Sequence, residues 1–76
     1  MSKKRFRLSE KDTVKATISG ERKLLASLYD SGFHSINQVF RALCQKVPHY
    51  AGKVVECHIS ANDGEKWTSF NRKVNR

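Results

Sequence analysis

Asn62-Asp63-Gly64 stands between two stretches of alternating side chains, and it limits the local geometry more than any other part of the chain. Asp-Gly accepts the positive φ angles of a type I′ turn, so the tripeptide predicts a β-hairpin. With Asp63 and Gly64 as a two-residue loop, Cys57 falls opposite Phe70 and Ile59 opposite Thr68, which makes one apolar face. The other face pairs His58 with Ser69 and Ser60 with Trp67. The same register therefore puts the single tryptophan off the apolar face.

Upstream, Val14, Ala16 and Ile18 alternate with Lys15, Thr17 and Ser19, the pattern of a half-buried strand. Leu24, Leu25, Leu28 and Tyr29 have the spacing of one helix face, so a helix is expected over residues 21–31, stopped by Gly32. Ser35-Ile36-Asn37-Gln38 has the form of a capping box. It opens a second helix with Ile36, Val39, Phe40, Leu43 and Val47 on one side, ended by Pro48. Residues 71–76 read as a fraying basic end. The expected fold is a small α+β domain over 13–76 in the order β-α-α-β-β: a three-stranded antiparallel sheet with two helices packed on one face. Residues 1–12 read as a basic flexible arm.

Charge narrows the function classes. Fifteen Lys and Arg against seven Asp and Glu give +8 over 76 residues, a surplus that suits an acidic partner. A chain this short has little room for a deep substrate pocket besides its core. It contains no apolar run of the roughly 20 residues that a membrane span needs, and no secretory signal. The expectation is a cytoplasmic, non-enzymatic protein with no cofactor and no membrane partner. It would bind DNA or RNA, with a regulatory or accessory role and a possible homodimeric state. The alternative is a module that docks on an acidic protein and inhibits or recruits it.

The candidate nucleic-acid-binding residues follow from position. Lys3, Lys4, Arg5 and Arg7 come from the arm. Lys15 and Thr17 come from the polar side of the first strand. Ser35 and Asn37 open the second helix, where free N–H groups favour an anion. Lys53, Trp67, Arg72 and Lys73 come from the hairpin, with Trp67 able to stack on an unpaired base. A third, less favoured function is a metal-free ribonuclease with His58 or His49 as base and Arg72 or Lys53 stabilising the phosphorane. Cys44, His49, Cys57 and His58 are possible zinc ligands by type, but their spacing lacks the paired knuckles of zinc fingers. Cys57 and His58 are neighbours on a strand and point to opposite faces, which separates them as nucleophile and base.

Residues 13–47 resemble the ribbon-helix-helix repressors in the alternating strand Thr13 to Ser19, the two expected helices, and the connection Gly32-Phe33-His34-Ser35-Ile36-Asn37. That resemblance implies a two-fold dimer whose strand residues, here Lys15 and Thr17, enter the major groove while the second helix start grips phosphate. The first helix is short for that family, and the hairpin at 53–74 has no counterpart in it. A second likeness is to the KH core, through its strand-helix-loop-helix-strand order. Gly32-Phe33-His34-Ser35 stands where that family has Gly-x-x-Gly, without the second glycine and without a Lys or Arg.

Overall fold

A computed structural model describes residues 7–74. Four strands form one antiparallel sheet: β1 (Val14–Gly20), β2 (Lys23–Asp30), β3 (Val54–Ala61) and β4 (Lys66–Lys73), in the spatial order β2-β1-β3-β4. One helix, α1 (Ile36–Cys44), and a 3₁₀ turn over Pro48–Tyr50 make the crossing from β2 to β3. This corrects the expected three-stranded sheet with two helices: the segment read as the first helix is the strand β2.

The physical reason lies at both ends of that segment. Glu21 and Arg22 adopt positive φ (52° and 66°), so the chain reverses immediately after Gly20 and the next residues pair back onto β1. A β-bulge then interrupts the ladder. Ile18 faces Ala26 but Ser19 faces Leu24, which leaves Leu25 as the additional residue. A bulge inserts one residue into a period of two, so apolar side chains recur at mixed spacings that imitate a helix face. In the sheet those side chains divide. Leu25 and Leu28 pack towards the core, whereas Leu24 and Tyr29 face solvent. Pairing with β1 outweighs the helix propensity of Lys, Leu and Ala, because it satisfies the backbone of both strands.

The correction reaches both family resemblances, since each requires a helix at 21–31. It also removes the intermolecular ribbon, because β1 is hydrogen-bonded to β2 on one side and β3 on the other and has no free edge for a second copy.

The hairpin register is as expected, with Cys57 opposite Phe70, His58 opposite Ser69, Ile59 opposite Thr68 and Ser60 opposite Trp67. Asp63 and Gly64 take φ of 59° and 91°, and Glu65 N–H donates to the Asn62 carbonyl at 3.3 Å. Of the end read as fraying, residues 71–74 are ordered, and residues 75–76 lie outside the described residues. Residues 71–73 belong to β4, and Val74 is buried and exchanges backbone hydrogen bonds with Gly52 and Lys53 at 2.8 Å each.

The helix starts where its cap predicts. Ser35 Oγ accepts from Gln38 N–H at 3.3 Å, and Gln38 Oε1 in return accepts from His34 N–H. The α-helix ends at Cys44, a turn earlier than the expected stop before Pro48, although Val47 is still buried. α1 lays Val39, Phe40, Leu43 and Cys44 against one face of the sheet, where Val14, Ala16, Ile18, Val55, Cys57, Ile59 and Ala61 complete the core. Tyr50 closes one end: its ring lies over Gly20, and its hydroxyl donates to Glu21 Oε1 at 2.9 Å. Among the described residues no element covers the other face of the sheet. Among the described residues no helix is long and apolar enough to cross a membrane.

Residues 7–12 of the segment read as an arm lie against this body. Leu8 is buried, and Asp12 is held by Lys66 Nζ at 2.7 Å, Asn62 Nδ2 at 2.9 Å and Ser9 N–H at 3.0 Å. Donation from the Lys66 side chain, then from Asn62 and Ser9, lowers the Asp12 carboxyl from its ordinary 3.8 to about 2. A carboxyl lowered on folding stabilises the native state fully above its unfolded pKa, and that contribution disappears as the pH falls from 3.8 towards 2. Urea midpoints should therefore fall between pH 5 and pH 2 in the native chain. Asp12→Asn should lower the midpoint at neutral pH and flatten that acid dependence. An unchanged pH profile in the variant would assign the acid sensitivity to other groups.

Candidate nucleic-acid interface

The alternation that buries one face of the sheet exposes the other. Read across the strands, Tyr29, Lys15, Ser60 and Trp67 form one continuous row of paired positions, one from each strand. A second row is Ser27, Thr17, His58 and Ser69. The aromatic ends of the first row sit three strand spacings apart, about 14–15 Å. Trp67 is 70% exposed and Tyr29 68% exposed. In so small a domain an indole is normally recruited for burial, so two large exposed rings on one open face form a surface rather than a piece of core. Trp67 and Val54 do not form a second apolar cluster, because Val54, opposite Lys73, lies six positions before Ser60, the partner of Trp67, along β3.

The centre of the first row is polar. Lys15 Nζ lies 5.9 Å from the Tyr29 ring centroid, within cation–π range. Ser60 Oγ donates to the Lys15 carbonyl at 3.3 Å. Lys15 and Ser60 form the ridge between two shallow hollows of about 290 Å³ each. One is walled by Trp67 with Thr17, His58 and Thr68; the other is walled by Tyr29 with Thr13, Asp63 and Gly64. His58 Nε2 lies 3.1 Å from Glu56 Oε2, so Glu56 has a partner beside it on this face.

Charge is uneven along the strand axis. Glu10, Asp12, Asp30, Asp63 and Glu65 lie at the Asn62–Glu65 hairpin end, with Arg7, Lys11 and Lys66 among them. Arg22 and Lys23 at the β1–β2 turn, Lys53 before β3 and Lys73 at the end of β4 lie at the opposite end, with Glu21 and Glu56.

The structure brings together only part of the expected site. Lys15, Thr17 and Trp67 share the open face, with Lys73 at its cationic end; Lys53 sits at that end with Nζ 5.1 Å from the Tyr50 ring centroid. Arg72 does not join them. It points to the helix side, where its guanidinium lies 4.6 Å from the Phe70 centroid and 5.2 Å from that of Phe40, and Nη1 donates to Asn37 Oδ1 at 2.9 Å. Arg7, Ser35, Asn37 and Arg72 line a separate cleft of about 510 Å³ at the start of α1, where Ser35 already serves as the cap. Lys3, Lys4 and Arg5 lie outside the described residues. Tyr29 is not among the expected site residues, because a helix over 21–31 would not place it on the sheet beside Lys15.

Of the residues considered for a ribonuclease, His58 is on the open face and Arg72 on the opposite one, whereas His49 and Lys53 both lie against the Tyr50 ring, each 5.1 Å from its centroid. Cys57 faces inward as expected, and burial pushes its thiol up to about 12, which keeps it protonated. Among the described residues no three His, Cys, Asp or Glu side chains converge to hold a metal ion. No family model matches this chain, and no curated protein or solved structure shows significant similarity to it.

Proposed function

We propose that the open face of the sheet is a stacking platform for single-stranded nucleic acid. The observation that carries this reading is the row Tyr29–Lys15–Ser60–Trp67: two exposed rings with a cation and a hydroxyl between them on an uncovered surface. A base offers a π-face only when it is unpaired, so aromatic side chains on an open sheet favour single strands over duplex. Lys15 meets phosphate between the two stacked bases. The cations at the β1–β2 turn end draw the backbone along the face, and the acids at the hairpin end keep it away from there. The +8 charge of the chain supplies the salt-sensitive part of the affinity.

Trp67 is the only tryptophan, so its fluorescence reports this face alone. Titration with a short single-stranded oligonucleotide should quench it. A duplex of the same sequence should bind more weakly, and Lys15→Ala should reduce the slope of log affinity against log salt. Equal binding of duplex and single strand with no quenching would reject the platform. Retention of an acidic protein with no oligonucleotide binding at low salt would instead favour a protein-docking module.

A further inference from the structure

We infer that the Tyr29 hollow selects an unpaired guanine, read by the carboxylate of Asp63. The inference rests on the platform reading and adds a base preference to it. Five of the seven acids are already engaged within the fold: Asp12 with Lys66, Glu21 with Tyr50, Asp30 with Ser31 N–H, Glu56 with His58 and Glu65 with Asn62. Asp63 and Glu10 have no such side-chain partner among the described residues, and of those two Asp63 lines the hollow walled by Tyr29. A carboxylate there repels phosphate and accepts hydrogen bonds from whatever stacks on the ring.

The Watson–Crick edges of the bases differ in what they can donate. Guanine presents two adjacent donors, its ring N1–H and its exocyclic amine, which match the two carboxylate oxygens in a bidentate pair. Cytosine and adenine present one amine beside an acceptor nitrogen that opposes the second oxygen. Uracil and thymine present one N–H between two carbonyls that repel the carboxylate. All these edges are free only in a single strand.

The loop that carries Asp63 is held in place. Asn62 Oδ1 accepts from Thr13 N–H at 3.1 Å, and Asn62 Nδ2 donates to Asp12 Oδ1 at 2.9 Å and to Glu65 Oε1 at 3.2 Å. These bonds hold the backbone that carries Asp63, so only its own side chain has to order when the base arrives.

The test uses four oligonucleotides of equal length that differ only in one central base, G, C, A or U, in a uridine background, measured by fluorescence anisotropy. The G oligonucleotide should bind about tenfold or more tightly than the U one, with C and A between them. Asp63→Asn keeps the turn, because asparagine tolerates positive φ. It should remove the G-to-U gap while all four oligonucleotides still bind. The ratio is the readout, since losing a negative charge raises affinity for any polyanion equally. Binding without base preference, or a gap that survives Asp63→Asn, overturns this inference and leaves the platform standing. No binding by any of the four overturns both.

Discussion

Phe40→Ala is expected to cost about 3–5 kcal/mol of folding free energy, through lost burial and the cavity left behind. Phe40 is 2% exposed in the layer between α1 and the sheet. Its ring meets Phe70 at a centroid distance of 5.9 Å and a 59° tilt, and the Arg72 guanidinium lies over it at 5.2 Å. Truncation therefore removes three contacts together: the apolar packing, the ring pair and the surface on which Arg72 rests. A native domain of 76 residues has only about 4–11 kcal/mol in total, so the loss approaches the whole stability. Urea unfolding should show a large fall in midpoint, or no folded baseline at all. Phe40→Leu keeps most of the volume and should cost much less. A small effect for alanine would mean that α1 settles inward and refills the space.

Trp67→Ala should have the opposite profile, leaving the fold intact while weakening oligonucleotide binding. The side chain is 70% exposed on an edge strand, so its removal opens no cavity. Stacking of one base on an aromatic ring is worth about 1–3 kcal/mol, which is about fivefold to 150-fold in affinity. Tyr29→Ala should lose a comparable amount. The rings stand three strands apart, with Lys15 and Ser60 between them, so the two losses should add in the double variant. Anisotropy with a labelled single strand gives the affinities, and a melting curve for each variant confirms the fold. Unchanged affinity in the double variant would remove stacking from the mechanism and leave only the electrostatic component.

The candidate site became legible through two different routes. Trp67, Thr17 and Lys15 followed from alternation and from the Asp63-Gly64 turn. In a hairpin the turn sets the register, and the register sets which face every side chain occupies. Arg72 shows the limit of that reasoning. Its position opposite Val55 places it on the inner face, whereas the sequence reading groups it with Lys53 and Lys73. The α1 segment presents a ring and an amide at that spot, and these hold the guanidinium away from solvent-side work.

What the amino-acid order determined by itself was local: a strand over residues 13–19, the Ser35 cap, the hairpin register and the outward tryptophan. Each depends on residues close in the chain, through periodicity, a cap hydrogen bond or a turn that demands positive φ. What only the tertiary structure decided was the state of residues 23–30. Two positive-φ residues, Glu21 and Arg22, and a bulge at Leu25 turn a helix-like pattern into an edge strand. That choice rests on β1 needing a hydrogen-bonded partner on its free side, a requirement carried by no residue within the segment. The same choice exposes Tyr29 opposite Lys15 and so completes the aromatic row across the open face.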